Sequence, residues 1–71
     1  MTAPGFAIWL EVATRRCGLD EVDLKTSLAA SWETVRSLRT GAERPSMWTC
    51  CRLAETLGCA PEEVLAAAGY L

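Results

Sequence analysis

Apolar residues recur at helical spacing along the first part of the chain. The i, i+3, i+4, i+7, i+11 pattern is occupied by Phe6, Trp9, Leu10, Ala13 and Cys17. This spacing places them on one face of a helix, which we predict over about residues 5–17. Gly18 follows where a left-handed glycine commonly ends a helix. The pattern therefore predicts an amphipathic helix that packs on a core.

A second, shorter helix is predicted directly after this glycine. Asp20 is a suitable N-cap, and Asp23 follows three residues later. Leu24 and Leu28 have the i, i+4 spacing of a face that points inward. The next two residues, 29–30, are predicted to form a tight turn.

A third helix is predicted from a capping serine to a glycine stop. Ser31 precedes residues 32–40, which Val35 and Leu38 anchor and Gly41 ends. The outward positions of this helix carry basic and polar side chains.

Two more helices complete the pattern after a loop at residues 41–46. The fourth is predicted over about residues 47–57, closed by Gly58, and the fifth begins at Pro61 and ends near Gly69. Inward positions in these two helices are Met47, Cys50, Leu53, Ala54, Leu57, Val64, Leu65 and Ala68. The fold class is therefore all-α, with five helices in one domain over residues 1–71.

Composition removes several classes of function. The 71 residues contain no histidine, no nucleophile with a base at a known spacing and no glycine-rich phosphate loop, so we expect no enzyme, cofactor or metal. The four cysteines (Cys17, Cys50, Cys51 and Cys59) include no C-x2-C pair, and we expect all four to be buried thiols, with a redox or metal role as the alternative. No apolar run is long enough for a membrane span, and the opening segment MTAPGFAIWLEVA lacks the basic leader of a signal peptide. We therefore expect a cytoplasmic protein.

The segment GLDEVDLKTSLAASWETVRSLRTG, residues 18–41, resembles the helix-turn-helix of the Cro and phage-repressor-like (XRE) family. Matching positions are Gly18, Leu19, Leu24, Leu28, Ser31, Thr34, Val35, Leu38 and Gly41. The following segment, ERPSMWTCCRLAETLGCAPEEVLAAAGYL, is also similar to the family's usual continuation. The resemblance covers residues 18–71 and implies a lambda-repressor-like, DNA-binding domain with the second and third helices as its helix-turn-helix.

This resemblance implies a sequence-specific transcriptional regulator, most simply a small repressor, that docks residues 32–40 in the major groove of double-stranded DNA. Its DNA-contact candidates are Ser31, Trp32, Glu33, Arg36, Ser37, Arg39, Thr40 and Arg44. Arg36 is the best candidate for a guanine edge, because arginine can donate two hydrogen bonds to O6 and N7. Arg39, Thr40 and Arg44 are expected at phosphates. Small repressors of this family pair through their last helix, so a homodimer is expected.

The charge distribution agrees with this expectation although the net charge is −2. Residues 24–52 carry five basic and two acidic side chains, a local charge of +3, whereas the segments on either side are acidic.

A second hypothesis rests on departures from the family pattern. Glu21 stands where the family commonly has a glutamine, Lys25 replaces a small residue, and Ala29 replaces the turn glycine. Trp32 occupies an outward position, where its ring could pack on a thymine methyl or a sugar edge, fold back onto the turn, or anchor a protein partner. The alternative is thus a protein-interaction module on the same fold, either antitoxin-like or an inhibitor of host machinery.

Overall fold

The computed structural model describes residues 4–71, and within that range the backbone forms five α-helices and no strand. They are α1 (Pro4–Cys17), α2 (Glu21–Leu28), α3 (Trp32–Thr40), α4 (Met47–Leu57) and α5 (Pro61–Ala67). The all-α prediction is confirmed, and α1 begins one residue earlier than predicted. Residues 1–3, the start of the segment considered as a signal peptide, lie outside the described range. No helix of the described part has the length and apolar character needed to cross a membrane.

Helix starts follow from local capping side chains. Asp20 accepts a hydrogen bond from the Asp23 amide at 2.9 Å, and the Asp23 carboxylate accepts one from the Asp20 amide at 3.1 Å. This reciprocal pair satisfies two amides that the first turn of α2 leaves free. Ser31 and Ser46 cap α3 and α4 in the same way, each accepting from the amide three residues later at 3.2 and 3.1 Å.

The helices end at residues with a left-handed backbone conformation. Gly18, Gly41, Gly58 and Gly69 all have positive φ, between 69° and 86°. After α2 the same role falls to Ala29, whose φ is 50° and ψ 40°. A left-handed backbone at a residue with a Cβ costs about 1–2 kcal/mol. The tight α2–α3 turn is therefore strained at one residue.

One core joins the five helices. Its buried side chains are Phe6, Leu10, Leu24, Leu28, Val35, Leu38, Cys50, Leu53, Ala54, Val64 and Ala68. α1 packs against α3, α4 and α5, and α2 packs against α3 and α4. The described chain is compact, with a Cα radius of gyration of 10.5 Å. Packing thus fixes α3 between α1 and α2.

Several predicted inward positions are not buried. Met47 is 57% exposed because it opens α4 at the edge of the core, and Cys17 is exposed at the last position of α1. Thr14 is buried in α1 instead, with its hydroxyl donating to the Leu10 carbonyl at 2.9 Å. α5 ends at Ala67, earlier than predicted, because the left-handed Gly69 turns the chain.

Candidate nucleic-acid interface

The α3 helix is anchored on one side and open on the other. Val35 and Leu38 are buried, and the caps at Ser31 and Gly41 determine where the helix begins and ends. The opposite side carries the exposed residues Trp32, Glu33, Arg36 and Thr40, with Ser37 half-buried at its margin. Five of the eight candidate contact residues thus lie on α3 away from its buried anchors.

Arg36 is the basic residue of α3 that has no ion-pair partner within the described residues. Its side chain is exposed, and it forms no ion pair with any residue between positions 4 and 71. An exposed guanidinium without an ion pair presents N–H donors to solvent. It is therefore available to an external acceptor.

Arg39 is in a different environment although it lies one turn further along α3. Its Nε is 3.3 Å from Oε1 of Glu21 on α2, and its side chain is only 29% exposed. Together with Ala7 and Glu11 of α1 it lines a cavity of about 210 Å³. Arg39 thus lies between two helices that carry carboxylates, which reduces its effect on an external phosphate.

Thr40 is exposed, but its hydroxyl is already used as a donor. Oγ1 donates to the Arg36 carbonyl at 2.9 Å, as threonines near helix ends often do. In this rotamer only the lone pairs of Oγ1 remain free. A phosphate oxygen accepts hydrogen bonds, so the Thr40 hydroxyl must turn away from the Arg36 carbonyl before it can donate to a phosphate.

Arg44 lies in the loop between α3 and α4. Its guanidinium carbon is 3.9 Å from the centre of the Tyr70 ring, while the residue as a whole is exposed. It lines a cleft of about 240 Å³ between this loop, α3 and the start of α4. Four hydroxyl side chains, Thr34, Ser37, Ser46 and Thr49, line the same cleft, together with Glu43.

Trp32 remains half exposed at the start of α3. The Lys25 ammonium on α2 is 5.6 Å from the centre of its ring, within the range of a cation–π contact, and the ring is 48% exposed. The Lys25 side chain of α2 therefore makes its aromatic contact with the first residue of α3. On α4, Trp48 has a similar arrangement with Arg52, at 5.9 Å.

The cysteine prediction is correct for one residue and wrong for two. Cys50 is buried, Cys59 is half-buried, and Cys17 and Cys51 are exposed. Neighbouring residues on a helix point about 100° apart, so Cys50 and Cys51 cannot both face the core. Burial raises the pKa of Cys50, and burial with the nearby Glu63 carboxylate raises the pKa of Cys59. Among residues 4–71 all four thiols are free, and no three potential ligands come together for a metal.

Comparison with protein-family models, curated proteins and solved structures gave no match for this chain. The candidate interface is thus defined by its own geometry. Two contacts had no local signal in the sequence: Tyr70 with Arg44, and Glu21 with Arg39. Each joins residues far apart in the chain.

Proposed function

We propose that this protein is a sequence-specific DNA-binding regulator, most simply a small repressor, in which α2 and α3 form a lambda-repressor-like helix-turn-helix. The observation that carries the proposal is the position of Arg36. It lies on the exposed face of a rigidly capped helix, with no ion pair in the described part of the chain. Such a side chain can reach the floor of a major groove when its helix enters the groove.

Within this proposal the exposed residues of α3 have distinct roles. Arg36 donates to O6 and N7 of a guanine, and Trp32 packs on a thymine methyl or a sugar edge. Arg44 contacts a backbone phosphate from the adjoining loop, and Ser31 orients the amino end of α3 toward the backbone. Arg39 chiefly holds α3 against α2, since its charge is shared with Glu21.

We infer a homodimer for the same function, because a two-fold operator needs two recognition helices about 34 Å apart. Sedimentation equilibrium, with and without a bound duplex, measures this directly. A single copy of the chain on each selected duplex would contradict the dimer while leaving the proposed DNA contacts intact.

The decisive experiment is selection of bound duplexes from a random pool at two salt concentrations. We expect a preferred sequence whose affinity falls steeply with salt, because phosphate contacts release counterions. R36A should lose discrimination at one base position by about 1–3 kcal/mol, the usual value of a bidentate arginine contact. R16A, which removes the same charge from an exposed site on α1, is the matched control and should keep the preference. Equal, weak binding of all sequences would contradict the proposal.

A second candidate function is a protein-interaction module, favoured by exposed large apolar side chains on α3 and α4. Trp32, Met47 and Trp48 are each 48–60% exposed, and tryptophan is a frequent anchor of protein interfaces. In that case W32A should abolish a stable complex with a defined partner, whereas R36A should preserve it. Clean operator binding in the absence of such a complex would exclude this candidate.

A further inference from the structure

The residues after α5 return to the loop that carries Arg44. The Gly69 amide donates to the Ala66 carbonyl at 3.1 Å, and the Tyr70 amide donates to the Leu65 carbonyl at 2.8 Å. With Gly69 at a φ of 86°, these bonds form the reversed turn that commonly ends a helix. The turn fixes the direction in which Tyr70 leaves α5.

Tyr70 then contacts the α3–α4 loop in two ways. Its hydroxyl donates a hydrogen bond to the Pro45 carbonyl at 2.8 Å, and its ring lies under the Arg44 guanidinium at 3.9 Å. Pro45 is buried and Tyr70 is half-buried, so the ring has a fixed support. One side chain therefore holds both the backbone of the loop and the arginine beside it.

Stacking restricts the guanidinium without consuming its hydrogen-bond donors. The guanidinium carbon of Arg44 is 3.9 Å from the ring centre, a distance typical of stacking, and the N–H donors of a guanidinium lie in its own plane rather than toward a stacked ring. Arg44 remains exposed and makes no ion pair with any residue of the described range. A long side chain held in this way loses less rotamer freedom when it binds an anion.

We propose that Tyr70 is a positioning residue that holds Arg44 in the orientation in which it contacts a phosphate of the DNA backbone. This inference rests on the proposed DNA-binding function and adds to it a contribution from the residues that follow α5. Arg44 and Tyr70 then act as one unit, and removing either partner has the same consequence for binding.

The test is a double-mutant cycle measured on the duplex selected for the wild-type protein. R44A should lower affinity about fivefold at about 0.15 M salt and reduce the salt slope by about 0.9, the loss expected for one phosphate contact. Y70L, which keeps apolar bulk but has no flat ring, should reproduce most of that loss. The R44A/Y70L double variant should bind no more weakly than R44A alone. Y70F, which keeps the ring, should recover most of the affinity that Y70L loses.

Two further measurements help to distinguish failure of this inference from failure of the proposed DNA-binding function. In the free protein the ring should shift the Arg44 Hδ resonances upfield, and this shift should persist in Y70F and vanish in Y70L. Circular dichroism on each variant establishes that the helices are retained. Additive losses in the cycle, or an unchanged salt slope in Y70L, would overturn the inference while DNA binding stands. A wild-type protein that binds no duplex selectively would overturn the proposed function, and the inference with it.

Discussion

The Arg39 guanidinium on α3 forms an ion pair with the Glu21 carboxylate on α2, with 3.3 Å between Nε and Oε1. The pair joins two helices at a position where the resembled family commonly has a glutamine. In this chain the residue is a glutamate, and its carboxylate pairs with an arginine of the next helix. The basic character of α3 is therefore concentrated in Arg36.

Replacement of Glu21 should strengthen DNA binding. E21Q removes a negative charge beside α3 and leaves the Arg39 guanidinium without its carboxylate partner. Affinity for DNA should therefore rise several-fold and depend more steeply on salt. Stability should change by less than about 1 kcal/mol, because Glu21 is mostly exposed and exposed pairs contribute little. Fluorescence anisotropy over a salt series measures the effect. E62Q makes the same charge change on α5 and is the control; an equal gain there would show that Glu21 has no local effect.

The left-handed backbone of Ala29, in the α2–α3 turn, should lower the stability of the protein. A29G should raise the unfolding free energy by about 1 kcal/mol, because glycine adopts a positive φ without the steric cost of a Cβ. For a domain of this size that corresponds to a midpoint higher by roughly 4–8 °C. Thermal unfolding followed by circular dichroism measures it. A66G, at an exposed helical position in α5, should instead lower stability by about 1 kcal/mol. Destabilisation by A29G would show that the turn is not strained.

Much of the helical framework was predictable because its signals are local. Asp20, Ser31 and Ser46 each bond to an amide three residues away, so capping depends on a few neighbouring positions. Glycines at helix ends act through their own φ. Periodicity identified most of the core for the same reason. Met47 was wrongly assigned to the core because spacing along a helix does not reveal where the core ends.

The candidate site was less predictable because its contacts are distant in sequence. Arg36 and Arg39 have similar sequence surroundings, and only the position of Glu21 on another helix distinguishes them. The contact of Tyr70 with Pro45 spans 25 residues. Periodicity shows which face of a helix is apolar. It does not show which side chain of another helix or loop contacts a given polar side chain.

The cap of α3 allows stability and DNA binding to be separated. S31A should lower the unfolding free energy by about 1 kcal/mol, because the Thr34 amide loses its acceptor. S31D should retain stability, since aspartate caps equally well, but its charge should weaken DNA binding, because the proposed function places this end of α3 near phosphates. Denaturant unfolding and duplex titration on both variants measure the two effects. S46A, which removes the equivalent cap of α4, should match S31A in stability. Unchanged DNA affinity in S31D would place this end of α3 away from the duplex.

The four thiols should react with iodoacetamide at mildly alkaline pH in an order set by exposure and pKa. Cys51 and Cys17 are exposed and should be modified first. Cys59 should follow more slowly, because a raised pKa leaves less of the reactive thiolate at a given pH. Cys50 should react last, since it is buried and its pKa is also raised. Mass spectrometry of the protein over time, followed by peptide mapping, measures the order.

The rate of thiol modification should also depend on pH, in a direction that follows from the raised pKa of Cys59. For Cys59 the raised pKa means that the thiolate fraction continues to increase at pH values where a free cysteine in solution is already ionised, so its rate should rise further with pH than that of free cysteine measured in parallel. In denaturant all four thiols should react at similar rates, which separates the effect of folding from that of local sequence. If Cys50 reacted as fast as Cys51 in the folded protein, α4 could not pack with Cys50 in the core, and the placement of α4 against α2 and α5 would be wrong.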